Sequence, residues 1–135
     1  DGLRDLRPED APWIDRLDRE VRGASRREDH AAFTSWGGSG HVLERDGTAL
    51  GYVYAFPEGK VGPGAAHRPE DIPVLIAAAR SIVGGPISVA VPGTNWAALR
   101  ELTRSGLAPA GGNTFMSSVP IGDGARYLSS GGGLG

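Results

Sequence analysis

The sequence predicts a single α/β domain in which a mixed sheet carries helices on its faces. Capping sequences precede two amphipathic stretches, turn residues separate three strand-like segments, and helix and strand patterns alternate later in the chain. A length of 135 residues, with 39% hydrophobic and 22% charged residues, suits one modest core. The predicted order is β-α-α-β-β-β-α-β-α-β-β over residues 1–128, followed by a Gly/Ser-rich tail at 129–135.

A six-residue pattern, Arg-Pro-Glu-Asp-x-Pro, occurs at residues 7–12 and again at 68–73. In each copy the Asp is expected to cap a helix, because its carboxylate accepts orphan backbone N–H groups and the next Pro fits the first turn. Asp10 and Asp71 should therefore each begin a helix. Apolar residues then recur at helical spacing, as Ile14, Leu17, Val21 and Ala24 after the first copy and Leu75, Ile76, Ala79, Ile82 and Val83 after the second.

The remaining elements follow from alternation and turn residues. In the strand at 49–56, Leu50, Tyr52, Tyr54 and Phe56 are expected on one face and Val53 and Ala55 on the other, which predicts a central, doubly covered strand. A strand at 60–61 is expected to end at Gly62-Pro63-Gly64. Other strands are predicted at 3–6, 41–45, 86–91, 116–120 and 126–128. Two more helices are predicted, one at 26–36 and one from Thr94 or Asn95 to Gly106. In the second of these, Ala98, Leu99 and Leu102 are expected to face inward.

Composition and charge exclude several classes of function. A net charge of −2 provides neither a basic field for nucleic acid nor a polybasic membrane surface. The absence of cysteine excludes disulfides, thiolate metal sites and a Cys nucleophile, and it fits the cytoplasm as the expected location. No apolar run approaches the roughly 20 residues of a membrane span, and the three His show no metal-ligand spacing. A start without Met predicts a trimmed chain or one half of a longer protein.

The order of elements and several local matches resemble the GNAT superfamily of acyl-CoA-dependent N-acyltransferases. Asn95, Ala98 three residues later and Gly106 at the end of that helix are similar to a pattern common in the family. Asp18, Gly23 and Arg26 look like the pattern that opens the C-terminal half of some tandem GNAT proteins. From the residues alone, Asp18 and Arg26 are equally consistent with local ion pairs on a solvated helix face.

The resemblance implies acetyl transfer from acetyl-CoA, as co-substrate, to the amine of a small molecule or peptide. Cofactor-binding residues would be Lys60, Val61 and Gly62, whose backbone would hold the pantetheine arm, together with Arg68 and Asn95. A second GNAT domain or a homodimer is the implied protein partner.

For the general base, Glu58 and His41 are the candidates, because both are expected near strand ends where an amine could approach. The alternative for each is a merely solvated side chain. Nothing in the sequence indicates a metal ligand, so no metal site is expected.

The sequence departs from the family where the CoA pyrophosphate would bind. The family's Arg/Gln-x-x-Gly-x-Gly/Ala loop becomes Ala66, Pro69 and Asp71 here. Pro69 donates no N–H, and the charge of Asp71 repels an anion at the helix start. Leu102 also stands where a Tyr often acts as general acid. Two further hypotheses follow. The chain could be a non-catalytic GNAT-like half of a tandem protein, which serves as the partner of the other half or as a wall of its substrate site. It could also be a small-molecule-binding module of another mixed fold.

Overall fold

Residues 2–92, 94–107 and 122–128 are described by the computed structural model of the chain. Within these ranges the chain forms four α-helices and six β-strands. The strands are β1 Gly2–Asp5, β2 Ser39–Arg45, β3 Thr48–Ala55, β4 Lys60–Ala66, β5 Ser88–Val89 and β6 Tyr127–Leu128. The helices are α1 Ala11–Arg22, α2 Arg27–Ser35, α3 Asp71–Val83 and α4 Trp96–Arg104. The strand predicted at 116–120 and the tail at 129–135 lie outside the described residues.

The strands form one mixed sheet in the order β1-β2-β3-β4-β5. Neighbours from β1 to β4 are antiparallel, β4 and β5 are parallel, and β6 pairs with β4 in antiparallel orientation. The mixed α/β architecture predicted from the sequence is therefore confirmed. The strand order also confirms β3 as an interior strand, bonded on one edge to β2 and on the other to β4.

Helices cover both faces of the sheet, because each helix has an apolar face to remove from water. Tyr52, Tyr54 and Phe56 pack against α1 and α2, whereas Val53 and Val61 pack against α3 and α4. This arrangement produces two apolar cores. The α1/α2 core contains Ile14, Leu17, Val21, Phe33, Tyr52, Tyr54, Phe56 and Ala65, and the α3/α4 core contains Leu43, Val53, Val61, Ala66, Ile72, Leu75, Ile76, Ala79, Ala98 and Leu128.

The face predicted for Leu50 is wrong, and a β-bulge explains the difference. Leu43 of β2 lies opposite Gly51, but the next residue of β2 lies opposite Ala49, which leaves Leu50 as an extra residue in β3. A bulge changes the side to which the following side chains point. Leu50 therefore packs against the α3/α4 core and not beside Tyr52.

The predicted end of β4 is also wrong, since the strand continues through Gly62-Pro63-Gly64 to Ala66. Val61 lies opposite Ala55 and Gly64 lies opposite Val53, so two residues of β4 oppose one residue of β3. At such a bulge one residue does not join the hydrogen-bond ladder, and Pro is tolerated there because it has no N–H to donate.

Both repeated Asp residues begin a helix, as predicted, but neither caps it by the predicted mechanism. Asp10 directly precedes α1, and its side chain accepts no capping hydrogen bond from that helix. Asp71 is the first residue of α3, the N-cap is Glu70, and the Asp71 carboxylate accepts from Arg68. Asp10 instead accepts the backbone N–H of Arg7 and the indole N–H of Trp13, each within 2.9 Å. These contacts fasten the preceding turn to the helix.

Three apolar residues predicted to face inward are exposed. Ala24 lies beyond Gly23, which ends α1 in the left-handed region at φ +83°. Ile82 of α3 is 46% exposed because it lies at the edge of the helix face that packs on the core. Its neighbour Val83 does pack against that core. Leu99 of α4 is 36% exposed because this helix contacts the core through a narrow face centred on Ala98.

Candidate functional site

The outer edge of β4 changes its partner along its length. Val61 pairs with Val89 of β5 in parallel register, and beyond it Gly64 lies opposite Leu128 of β6. The opposite edge of β4 is bonded to β3 throughout. The predicted pantetheine-binding segment lies at this change of partner and comprises Lys60, Val61 and Gly62. Beyond Gly62, the backbone of this edge of β4 is hydrogen-bonded to β6.

Asn95 connects α4 to β6. Its side chain is fully buried, and its Oδ1 accepts the N–H of Ala98 at 3.2 Å, which caps α4 as the sequence predicts. Its Nδ2 donates to the backbone carbonyl of Tyr127 at 3.1 Å. Both ends of the amide are therefore engaged within the chain, although the resemblance assigned Asn95 to the cofactor.

Arg22, near the end of α1, bridges β4 and β6 from the other face of the sheet. One terminal nitrogen of its guanidinium donates to the carbonyl oxygens of Gly64, at 3.1 Å, and Leu128, at 2.9 Å. The guanidinium carbon also lies 4.6 Å from the centre of the Tyr127 ring, a cation–π distance. Because one side chain contacts both strands, it fixes their pairing.

The loop before α3 contains an internal ion pair at the place where the resemblance predicted a phosphate site. The Arg68 guanidinium donates to both carboxylate oxygens of Asp71, each at 3.2 Å. These bonds raise the pKa of Arg68 above its ordinary value. Asp71 is 2% exposed, so its charge is held inside the loop with Arg68 as its neighbour. Arg68 is therefore already engaged by an anion of its own chain.

The structure does not bring the two candidate bases together. His41 is buried in β2, where its Nε2 lies 3.0 Å from the Ser39 hydroxyl and its Nδ1 lies 3.5 Å from a carboxylate oxygen of Asp5. Burial lowers the pKa of His41, and the charge of Asp5 opposes this effect in part. Glu58 is exposed in the turn between β3 and β4, and no hydrogen bond or ion pair joins it to His41.

A buried polar network, which the sequence analysis missed, joins α1, α2 and β3. The Tyr52 hydroxyl donates to Asp18 Oδ1 at 2.6 Å, and His30 Nε2 lies 2.7 Å from the other Asp18 oxygen. His30 Nδ1 lies 2.9 Å from the Tyr54 hydroxyl. Arg22 Nε completes the network at 3.5 Å from Asp18. We call these five residues the Asp18 network.

The Asp18 network is almost closed to water. Asp18 and Tyr52 are fully buried, and the His30 side chain is 17% exposed. Burial, together with the nearby charge of Asp18, raises the pKa of Tyr54 to about 12, so both tyrosines are neutral donors at ordinary pH. When His30 carries its proton on Nε2, it donates to Asp18 and accepts from Tyr54. The carboxylate, both hydroxyls and both ring nitrogens are then partnered, and Arg22 Nε adds an ion-pair contact at 3.5 Å.

The sequence does contain a signal for this network. Asp18 falls between Leu17 and Val21 on the apolar face of α1, where an unpartnered carboxylate would be costly. Tyr52 and Tyr54 lie two residues apart on one strand face, which provides donors at the right spacing. The alternative of a solvated helix face is therefore wrong for Asp18 and for Arg26, since both are buried. The local ion pairs considered for them do form, between Asp18 and Arg22 at 3.5 Å and between Arg26 and Asp29 at 2.8 Å.

Within the described ranges, no group of three or more His, Asp or Glu side chains could hold a metal ion. No helix of those ranges is long and apolar enough to cross a bilayer. A cavity lies between α3 and α4, on the opposite face of the sheet from the Asp18 network. The network therefore does not line it.

No protein-family model matches the sequence, and no curated protein is significantly similar to it. Among solved structures, the chain is similar to that of TTHA1254 from Thermus thermophilus, which was crystallised as a point mutant. The two sequences are 16% identical, the match covers 90% of this chain and 98% of that chain, and the TM-score is 0.59. A likeness at this identity concerns the fold alone.

Proposed function

We propose that this chain is a non-catalytic domain of GNAT-like fold that serves as the partner or substrate-wall half of a tandem protein. One observation carries the proposal: β6 is hydrogen-bonded to the edge of β4 directly beyond the contact between β4 and β5. Acyl transfer in this fold would need the pantetheine arm to lie along that edge from Lys60 onward. The backbone of residues 127–128 already engages the part of the edge that follows Gly62.

Side chains from both faces of the sheet hold β6 in this place. Arg22 binds carbonyl oxygens of both strands, and Asn95 binds the carbonyl of Tyr127. At the start of the same segment, Arg126 donates to Glu20 of α1 at 2.6 Å. Because the Asn95 and Arg22 side chains are buried, displacing β6 would leave their polar groups with fewer partners. A ligand would have to offset that cost before it could bind.

The residues at the start of α3 do not fit a pyrophosphate. A phosphate cradle needs free backbone N–H groups and a positive field. Pro69 has no N–H, and the Asp71 carboxylate places a negative charge at the helix start. The guanidinium of that loop, on Arg68, is bonded to both carboxylate oxygens of Asp71. We therefore derive no chemical step through acetyl-CoA.

The second candidate is the acyltransferase itself, and one observation favours it. β4 and β5 are parallel neighbours whose pairing is confined to residues 60–61 and 88–89, so the two strands part just where the backbone of Lys60 to Gly62 would hold the pantetheine arm. In that case Glu58 or His41 would be the base. The buried state of His41 and its contact with Ser39 make Glu58 the more accessible of the two.

Calorimetric titration of the chain with acetyl-CoA separates the two proposals. We expect a Kd no tighter than high micromolar, because β6 engages the strand edge and the helix start carries a proline and a carboxylate where donors are needed. Circular dichroism of the same sample shows whether it is folded. Low-micromolar binding by a folded sample would overturn the non-catalytic proposal, and acetylation of a primary amine in that sample would establish the second candidate.

A further inference from the structure

A cavity of about 290 Å³ lies between the C-terminal halves of α3 and α4. Its floor is apolar and includes Ile76, Ile87 and Leu102. The cavity is separate from the edge of β4 and from the loop at the start of α3. Its volume is at the lower end of the range for small-molecule sites.

The rim of this cavity carries one charge of each sign. Arg80 projects from the last turn of α3, and Glu101 lies opposite it on α4. Among the described residues no carboxylate pairs with Arg80, and Glu101 has only long contacts, 3.4 Å to Arg104 and 3.4 Å to the Ser105 hydroxyl. Arg80 and Glu101 therefore face the same space without pairing with each other.

We propose that this cavity binds a free amino acid with a large apolar side chain. Its carboxylate would bind the Arg80 guanidinium, its ammonium group would bind Glu101, and its side chain would cover the apolar floor. The last turns of both helices present carbonyl oxygens and a partial negative charge, which favours the ammonium group and opposes the carboxylate, so the carboxylate depends on Arg80. A simple carboxylate would face Glu101 and a simple amine would face Arg80, so only a zwitterion satisfies both sides of the rim.

Titration of the ¹⁵N-labelled chain with L-leucine and L-phenylalanine, followed by amide NMR shifts, tests the proposal. Ligands of this size are expected to bind with a Kd of about 1 mM, and the shifts should cluster at Ser81 and Ser105. The single-charge analogues 3-phenylpropionate and phenethylamine should each bind about tenfold more weakly, because each lacks one charge-assisted contact.

Matched variants separate the cavity from general charge effects. Arg80→Ala and Glu101→Gln should each weaken binding about tenfold, whereas Arg16→Ala and Glu28→Gln, exposed on α1 and α2, should not. Ala77→Phe fills the cavity from an exposed position of α3 and should abolish binding in a folded protein. The proposal is overturned by absence of shifts up to the ligand's solubility, by shifts that cluster elsewhere, or by equal weakening in Arg80→Ala and Arg16→Ala.

Discussion

Tyr52 donates its phenolic hydrogen to Asp18 across 2.6 Å, and both side chains are fully buried. Asp18 belongs to α1 and Tyr52 to the interior strand β3, so this bond joins a helix to the sheet beneath it. Burial raises the pKa of Tyr52 far above its ordinary value, which keeps the hydroxyl protonated. The bond is therefore a fixed part of the α1/α2 core.

Tyr52→Phe removes this donor and leaves a buried carboxylate oxygen with one partner fewer. We expect the free energy of unfolding, measured by urea denaturation, to fall by about 1–3 kcal/mol. Tyr54→Phe is the matched control, because its hydroxyl contacts a ring nitrogen of His30 and not the buried carboxylate. That variant should lose only about 0.5–1.5 kcal/mol. Equal losses would contradict the importance assigned to the contact with Asp18.

Asp10 should contribute stability that is lost in acid. Two hydrogen bonds of 2.8 Å from Arg4 hold the pKa of Asp10 well below its ordinary value, against the opposing effect of burial. A carboxyl group with a lower pKa in the folded chain than in the unfolded chain stabilises the fold. Its contribution is complete above the unfolded pKa, about 3.9, and is lost as the pH falls from there towards the folded pKa.

Asp10→Asn should accordingly lower the free energy of unfolding at neutral pH and flatten its decline below about pH 4. Urea denaturation at a series of pH values measures both effects. Glu9→Gln, at an exposed position next to Asp10, is the control and should follow the unmodified chain. A decline as steep in Asp10→Asn as in the unmodified chain would show that other groups cause the loss of stability in acid.

Asn95 should have two separable roles, one in capping α4 and one in holding β6. Asn95→Ala removes both, so the free energy of unfolding should fall by about 1–3 kcal/mol and the amides of Tyr127 and Leu128 should exchange faster. Asn95→Ser restores a capping oxygen but is too short to reach Tyr127. It should recover most of the stability while the exchange stays fast. Full recovery of protection in Asn95→Ser would refute the role in holding β6.

Pro69→Gly combined with Asp71→Gly tests whether the loop before α3 limits the proposed binding of acetyl-CoA. The double variant returns one backbone N–H, removes one negative charge and releases Arg68 from its bonds to Asp71. A single charge at a helix start is worth about 0.3–1 kcal/mol. Because β6 still covers the edge of β4, acetyl-CoA binding should improve only a few-fold in calorimetry. A gain of roughly a hundredfold, about 2.7 kcal/mol, would mean that the loop and not the strand edge prevents binding.

Local chemistry determined most of the elements that could be predicted. The starts of α1 and α3 and the cap of α4 at Asn95 each depend on a few adjacent residues, and all are found, whereas the stop of α1 at Gly23 was missed because Ala24 was assigned to the helix. The interior position of β3 followed from apolar residues on both of its faces. Predictions that needed the register between strands, such as the face of Leu50 and the end of β4, were wrong because bulges change registers without a local signal.

The candidate site was predicted less completely than the fold. Asn95 was recognised as a cap, yet its second bond goes to a residue 32 positions later. Glu58 and His41 were grouped because both lie near strand ends, and the structure does not join them. For Asp18, a family pattern and a solvated helix face were left as alternatives, because the sequence does not show which donors lie opposite its carboxylate.

By itself, the sequence determined the mixed α/β class and, within the described residues, the order of elements, because each depends on neighbouring residues. Only the tertiary structure decided which strand covers the edge of β4 and what surrounds Asp18. Arg22 and Leu128 are 106 residues apart, and their bond exists only after two layers have packed on one sheet. The partners of such groups are set by the geometry of the whole fold, which no local pattern encodes.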